Sequence, residues 1–162
     1  MKRCFDFIVC MLALVFFSPL LVIIGLYIKL KSPGPIIYWS DRIGRNNKVF
    51  SMPKFRSMFI DAPSLATDLM ENPKQWITPF GSLLRKTSLD ELPQLFSVVK
   101  GDMSLVGPRP ALFNQYDLMA LRKASGIEKL KPGITGWAQI NGRDEITIEQ
   151  KVELEVHYML NK

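Results

Sequence analysis

The strongest pattern in the chain is an uncharged apolar segment near its start. Residues 7–28 (FIVCMLALVFFSPLLVIIGLYI) contain no charged side chain. At about 1.5 Å per residue, a helix of this length can cross the hydrocarbon layer of a membrane. Basic residues flank it on both sides, Lys2 and Arg3 before and Lys29 and Lys31 after. A cleaved signal peptide fits less well, because no small-residue cleavage site follows and the apolar run is longer than usual.

Ser18 and Pro19 in the middle of this segment leave two membrane arrangements open. Pro19 has no N–H and its ring clashes with the carbonyl of Val15, so a kink is predicted there. The hydroxyl of Ser18 is placed to help re-satisfy local backbone groups. Because positive charge stands on both sides, the positive-inside rule does not select a crossing direction. A kinked spanning helix and a re-entrant helix that returns to the same side both fit.

Beyond this segment the pattern predicts short elements joined by long loops. The predicted helices cover residues 62–71, 79–86, 89–100 and 111–125, and a last amphipathic helix starts at 147. Short extended segments are predicted over 36–39 and 103–106, and loops over 41–56 and 131–143. The predicted fold is an α-rich α+β protein of short helices, short strands and long loops, with a membrane-embedded part at 1–32 and a second domain at 33–162.

Composition and charge limit the classes of partner that the protein is expected to bind. The chain has 162 residues, of which 48% are hydrophobic, so it can bury a core. Its net charge of +6 favours anionic partners such as lipid headgroups or phosphates, although a solvated basic surface fits equally well. No nucleic-acid-binding motif is present, so nucleic acid is not expected as a partner. Cys4 and Cys10 form no zinc-binding pattern, and histidine chemistry would rest on His157 alone.

Asp90 and Glu91 are the candidate chemical groups, and two interpretations compete. In the first, Ser88 and Glu91 form a capping box at the start of a helix, with acidic residues favoured by the helix dipole. Pro93 weakens this interpretation, because the helix must then begin irregularly or later. In the second, the carboxylates act on a phosphate, since a carboxylate can attack phosphorus and form an acyl-phosphate.

Anionic substrates would need cations beside these carboxylates, and arginine suits phosphate because its planar fork matches the phosphate oxygens. The candidate cations are Lys54, Arg56, Arg85, Arg109 and Arg143. Arg109 stands between Pro108 and Pro110, which together restrict the backbone that presents it. A divalent ion would further neutralise charge on a leaving phosphate.

The order and the residues of these segments resemble those of the bacterial sugar transferase family, the monotopic phosphoglycosyl transferases. The matching segments are Lys2-Arg3 with Asp6, Ser18-Pro19, SPGPIIYWSDRIG, KFRSM at 54–58, TPFGSLLRKTSLDELPQLFSVVKGDMSLVGPRP at 78–110, and KPGITGWAQINGR at 131–143. The resemblance covers nearly the whole chain, and the block at 78–110 is its most specific part.

This resemblance implies a reaction and its cellular location. Members move a phosphosugar from a UDP-sugar to undecaprenyl phosphate and release UMP, on the cytoplasmic face of the bacterial inner membrane. Asp90 would become the phosphosugar-modified nucleophile, and Glu91 would assist proton removal from the lipid phosphate. Mg²⁺ would lie beside the pair with Asp90 as a ligand. Arg85 and Arg109 match positions that hold phosphate or nucleotide.

The resemblance also bears on topology and length. Ser18-Pro19 matches the break of the family's re-entrant helix, which favours a helix-break-helix arrangement over a spanning one. Members usually continue some tens of residues beyond the point that matches Tyr158, so the chain is expected to be truncated relative to the family. The alternative function is a non-catalytic membrane-tethered protein that binds anionic lipid through its basic loops and needs neither carboxylate.

Overall fold

The computed structural model describes residues 1–63, 70, 72–142 and 146–161. Its first element is helix α1, Lys2–Lys31, which continues through Pro19 without an interruption of secondary structure. Ser18 Oγ donates a hydrogen bond to the carbonyl of Val15 at 2.8 Å. The predicted compensation for Pro19 is therefore confirmed, because the carbonyl that the proline deprives of its donor is bonded by the neighbouring hydroxyl.

The predicted loop at 41–56 is wrong, because most of it belongs to a β-hairpin. Strand β1, Ile37–Ile43, pairs antiparallel with β2, Val49–Phe55. Asn46 and Asn47 have positive φ in the turn between them, a conformation that asparagine tolerates. The many polar residues and Pro53 obscured the strand signal. Proline is tolerated there because β2 lies at the edge of its sheet.

The central helices follow the predicted local signals. After the short helix α2, Pro73–Trp76, helix α3 covers Pro79–Lys86 and α4 covers Gln94–Lys100. Thr78 caps α3 by accepting a hydrogen bond from Gly81 N at 2.9 Å, a bond that contributes about 1 kcal/mol. Gly101, at φ 105°, ends α4 as predicted. The predicted helix at 62–71 falls largely outside the described residues.

The last part of the domain departs from the predicted boundaries. Strand β3, Ser104–Val106, agrees with the predicted extended segment, but residues 111–125 divide into β4, Ala111–Leu112, and helix α5, Tyr116–Ala124. The predicted loop at 131–143 contains β5, Gly133–Thr135, and helix α6, Trp137–Ile140. Helix α7, Ile148–Asn161, begins one residue after the predicted start.

The strands form a sheet of order β2-β1-β4 and a parallel β3-β5 pair. The architecture is a long apolar helix plus a small α+β domain.

The beginning of α1 is tied to this domain by polar bonds. Arg3 donates to the carbonyls of Val98 and Val99 in the last turn of α4, and so complements the negative end of that helix. Asp6, which is buried, accepts a hydrogen bond from Ser104 Oγ at 2.6 Å.

The end of α1 packs on the same domain through apolar contacts. Ile24 and Ile28 are buried against Phe55 of β2 and Leu84 of α3. The opposite face exposes large apolar side chains, among them Phe5, Ile8, Leu12, Val15, Phe16, Ile23, Leu26 and Leu30. Only 11% of the most apolar 18-residue stretch is buried, and by length and composition α1 could cross a membrane. Both ends of α1 therefore contact one domain, while most of its apolar surface is left uncovered by the described residues.

Candidate active site

The two carboxylates stand on a one-turn 3-10 helix, Leu89–Glu91, between α3 and α4. Ser88 adopts a left-handed conformation at φ 58° and makes no side-chain capping bond, so the predicted capping box is wrong. Pro93 precedes α4, which confirms that the helix starts later than the capping pattern implied. The carboxylate of Glu91 is thus free of the backbone role that the competing interpretation gave it.

Glu91 is held by two cations from distant parts of the chain. Lys54 Nζ, on β2, donates to Glu91 Oε1 at 2.7 Å, and Arg109 Nη2 donates to the same oxygen at 3.2 Å. Burial alone would raise the pKa of Glu91, but the charges of Lys54 and Arg109 and their hydrogen bonds hold this pKa below its ordinary value. Glu91 is therefore ionised at neutral pH.

Asp90 has the opposite electrostatic setting. The residue is only 8% exposed. Burial raises the pKa of Asp90 and the negative charge of Glu91 adds to the increase, whereas Lys54 and Arg85 counteract it. A carboxylate with a raised pKa is a stronger base and nucleophile once it is ionised, because its negative charge is poorly solvated. Two adjacent carboxylates with oppositely shifted pKa values are typical of sites with divided chemical roles.

Arg85 closes the site from the end of α3. Its Nε donates to the hydroxyl of the buried Ser57 at 2.8 Å, which orients the guanidinium. Burial lowers the pKa of Arg85, while the charge of Asp90 opposes this effect. Lys54, Arg85 and Arg109 therefore surround the acid pair, and the predicted association of these cations with Asp90 and Glu91 is seen in the structure.

Arg109 is positioned by a buried network that sequence patterns did not indicate. Its carbonyl accepts a hydrogen bond from Arg122 Nη2 at 2.9 Å. The same guanidinium binds Glu155 of α7 in a bidentate manner, at 2.8 Å and 2.5 Å. Arg122 and Glu155 are 7% and 2% exposed. Together with the flanking buried Pro108 and Pro110, this pair fixes the backbone from which Arg109 reaches Glu91.

Arg56, one of the predicted substrate-binding arginines, contacts the backbone next to α1. Arg56 is buried and donates to the carbonyls of Ser32 and Pro33, just after α1, at 2.8 Å and 2.5 Å. These bonds assign Arg56 to holding the segment after α1 in place. Arg143 lies outside the described residues.

A metal site made of protein side chains alone is not present in the described part of the chain, where no three His, Cys, Asp or Glu side chains cluster. Mg²⁺ usually keeps several waters and binds one or two carboxylates together with substrate phosphates. Asp90 fits that pattern, since its carboxylate faces an anionic neighbour whose charge a divalent ion would offset. Glu91 fits less well, because Lys54 and Arg109 already occupy one of its oxygens.

Comparison with known proteins identifies one family and several relatives. The family model for bacterial sugar transferases matches residues 1–162. An uncharacterised sugar transferase of Bacillus subtilis (strain 168), EpsL, is 42% identical over 161 residues, covering 99% of this chain and 78% of the relative. The UDP-glucose:undecaprenyl-phosphate glucose-1-phosphate transferase of Escherichia coli (strain K12) is also 42% identical, over 99% of this chain and 35% of the relative.

A third relative acts on a different sugar. The UDP-N-acetylgalactosamine-undecaprenyl-phosphate N-acetylgalactosaminephosphotransferase of Aeromonas hydrophila is 36% identical over 166 residues, covering 99% of this chain. The chain spans 39% of that protein, so it corresponds to little more than a third of the two relatives whose names give a reaction. Since the family model covers every residue, the chain belongs to the bacterial sugar transferase family.

Proposed function

We propose that this protein transfers a phosphosugar from a UDP-sugar to undecaprenyl phosphate and releases UMP. The observation that carries the proposal is the buried carboxylate of Asp90, with a raised pKa, beside a second carboxylate and three cations. The names of the Escherichia coli and Aeromonas hydrophila relatives supply the substrate class, since both contain UDP-sugar and undecaprenyl phosphate.

In the first half-reaction, a carboxylate oxygen of Asp90 attacks the phosphorus that carries the sugar. A bond forms between that oxygen and the phosphorus, and the bond from the phosphorus to the bridging oxygen of the diphosphate breaks. The electron pair leaves with UMP, and Asp90 carries the phosphosugar as an acyl-phosphate. Asp90 attacks in its ionised form and UMP leaves as an anion, so this step transfers no proton.

In the second half-reaction, an oxygen of undecaprenyl phosphate attacks the same phosphorus. The bond between the phosphorus and Asp90 breaks, the carboxylate is regenerated and the diphosphate-linked lipid is formed. Glu91 accepts the proton if the lipid phosphate arrives protonated, since its lowered pKa keeps it ionised. The two steps together exchange UMP for the polyprenyl phosphate on the sugar phosphate, and atoms and charge balance.

The cations around the pair give the site its affinity for anions. Lys54 and Arg109 contact Glu91, and the charge of Arg85 acts on Asp90. All three can form charge-assisted hydrogen bonds to phosphate oxygens, which lowers the repulsion between the donor and the two carboxylates. Asp90 would hold Mg²⁺ together with the diphosphate. The ion would neutralise the charge that develops on the leaving phosphate.

The same proposal assigns the membrane arrangement. Residues 1–32 form a re-entrant element, and residues 33–162 form the catalytic domain on the cytoplasmic face of the inner membrane. Two observations support this: both ends of α1 contact one domain, and both ends are basic. The exposed apolar face of α1 would then enter the lipid, which brings a lipid-borne phosphate to the height of the acid pair.

Substitution of the proposed nucleophile tests the reaction. Asp90→Asn and Asp90→Ala in membrane preparations should each reduce UMP release at least about 10³-fold, while the amount of membrane-bound protein stays unchanged. Asp102→Asn is the matched control, because Asp102 is a partly exposed aspartate after α4 that pairs with Lys100. Wild-type turnover in both Asp90 variants contradicts the proposal. Salt-sensitive lipid binding without UMP release in any form supports the non-catalytic alternative instead.

Labelling of single cysteines tests the topology. With Cys4 and Cys10 replaced by Ser, new cysteines at Lys2 and Lys31 should both react with a membrane-impermeant reagent from the cytoplasmic side only. Reaction from opposite sides of the membrane would show a spanning helix.

A further inference from the structure

Helix α7 reaches both ends of the short segment, residues 106–110, that presents Arg109 to the acid pair. At one end, the arginine that pairs with Glu155 donates to the carbonyl of Arg109 at 2.9 Å. At the other end, Tyr158 Oη donates to the carbonyl of Val106 at 2.9 Å. Glu155 and Tyr158 are three positions apart, so they lie on the same face of the helix. One face of α7 therefore holds the Arg109 segment at two points.

The first residue of α1 joins the second of these contacts. Lys2 Nζ donates to the carbonyl of Val106 at 2.7 Å and to Tyr158 Oη at 2.6 Å, and it lies 5.3 Å from the centre of the tyrosine ring. Because a lysine can only donate, the tyrosine hydroxyl accepts from Lys2 and donates its own proton to the carbonyl. We call these three groups, Lys2 Nζ, Tyr158 Oη and the carbonyl of Val106, the α1–α7 junction. One of its bonds to the carbonyl is charge-assisted, and such bonds are stronger than neutral ones.

Strand β5 and two prolines leave the Arg109 segment little freedom beyond this junction. The amide of Gly107 donates to the carbonyl of Thr135 in β5 at 2.9 Å. Pro108 and Pro110 each fix their own φ. A shift at the α1–α7 junction is therefore passed along the backbone to Arg109. A displacement on the order of 1 Å at a group that positions substrate can cost about 10²-fold in rate.

We propose that Tyr158 is a positioning residue that sets the place of Arg109, and that Lys2 ties the start of α1 to the same carbonyl. The inference rests on the proposed function, in which Arg109 binds the donor phosphates. Neither residue needs to touch a substrate, since both act through the backbone of the Arg109 segment. The start of α1 thus acquires a role besides the membrane contact proposed above, because it helps to hold a phosphate-binding side chain.

Removal of one hydroxyl tests the role of Tyr158. Tyr158→Phe keeps the ring, so the packing of α7 is retained. In membrane preparations it should lower kcat/KM for UMP release about fivefold, through a higher KM for the UDP-sugar, because the segment loses one hydrogen bond. Tyr116→Phe, at an exposed tyrosine in the first turn of α5, is the matched control and should leave both constants unchanged. Unchanged kinetics in Tyr158→Phe overturn the inference.

A double-variant cycle separates the positioning of Arg109 from general support of the fold. In the Arg109→Ala background, Tyr158→Phe should change kcat/KM by less than about twofold, because the side chain that it positions is absent. A full additional loss in that background would show that Tyr158 acts independently of Arg109, and the inference would fall.

Replacement of Lys2 tests the connection to α1. Lys2→Met should lower kcat/KM about as much as Tyr158→Phe, and the two changes together should lower it little further, because both act on one carbonyl. Lys31→Met removes the same charge at an exposed lysine at the other end of α1. It should leave turnover per membrane-bound molecule unchanged. Equal losses in the Lys2 and Lys31 variants would assign the effect to membrane charge and overturn this connection.

Hydrogen exchange gives a readout that needs no activity. In Tyr158→Phe, deuterium uptake by the peptide that covers 106–112 should rise, since one of its bonds to α7 is lost, and Tyr116→Phe should not change it. A wild type that releases no UMP would contradict the proposed function, and the uptake would still decide whether Tyr158 holds the Arg109 segment. An active wild type, with kinetics and uptake unchanged in Tyr158→Phe, would keep the proposed function and overturn this inference.

Discussion

Two contacts between arginine and glutamate, joined through Arg109, differ in almost every physical respect. Arg109 touches one oxygen of Glu91 at 3.2 Å, and its side chain is 34% exposed. Arg122 holds both oxygens of Glu155 at 2.8 Å and 2.5 Å, and the two side chains are 9% and 3% exposed. The first contact is loose and shared with Lys54, whereas the second is bidentate and enclosed.

The difference indicates which contact can be exchanged during a reaction. A single, partly solvated contact contributes little stability, so a phosphate can replace Glu91 as the partner of Arg109 at small cost. The buried pair cannot be opened cheaply, because each charge would be left without a partner in the interior. One contact is therefore suited to binding substrate, while the other sets the backbone from which the binding residue extends.

The largest expected effect follows from breaking the buried pair. Arg122→Leu should destabilise the fold by about 3–5 kcal/mol, because the carboxylate of Glu155 remains buried without a partner. Chemical denaturation in detergent measures the change. The double variant Arg122→Met with Glu155→Leu should recover most of the loss, since two apolar side chains need no partner. A double variant as unstable as the single one would show that the charge is not the cause.

Breaking the loose contact should affect activity rather than stability. Arg109→Ala should lower kcat/KM for UMP release about 10²-fold, because a donor phosphate loses a charged partner. The free energy of unfolding should change by less than about 1 kcal/mol. Arg45→Ala, at an exposed arginine in the hairpin turn, is the control and should leave both quantities unchanged. An equal loss of stability in the Arg109 and Arg122 variants would remove the distinction drawn here.

A smaller effect is expected when Glu91 is replaced, in the pH dependence of the rate at which the phosphosugar is attached to Asp90. Asp90 must be ionised to attack, so the rate should fall as the pH drops through the raised pKa of Asp90. Glu91→Gln removes a negative charge that raises this pKa and releases Lys54 and Arg109 toward Asp90, and both changes lower it. The acidic limb of the rate of phosphosugar attachment should therefore move to lower pH. A shift to higher pH would contradict the electrostatic account.

The smallest effect is expected at an exposed ion pair. Lys100 and Asp102 are 3.0 Å apart, with the lysine side chain 75% exposed. Lys100→Ala should change neither the denaturation midpoint nor turnover beyond experimental error, because solvent screens the pair. A clear loss in either would show that exposure is a poor guide to the roles assigned to Arg109 and Arg122.

The sequence predicted the elements whose signals are local. The uncharged run predicted α1, and Thr78-Pro79 marked the start of α3. Ser18 was expected to bond local backbone groups, and the structure shows that its partner is the carbonyl of Val15. Gly101 marked the end of α4. The predicted extended segment at 36–39 coincides with the start of β1. The rest of the hairpin, at 40–55, was missed because its stabilising contacts are cross-strand pairs, while its composition is polar and contains Pro53.

The sequence predicted which residues belong to the candidate site but not which of them contact each other. Asp90, Glu91, Lys54 and Arg109 were all singled out, and the structure brings them together. The pairing of Arg122 with Glu155 joins residues 33 positions apart on two helices, so no local pattern could indicate it.

The most direct test of the central claim is intact-protein mass spectrometry after incubation with a UDP-sugar and no lipid acceptor. The account predicts a mass increase equal to one phosphosugar, mapped by peptide sequencing to Asp90, absent in Asp90→Asn, and lost when undecaprenyl phosphate is added. An unmodified protein that nevertheless releases UMP only when both substrates are present would contradict a covalent role for Asp90.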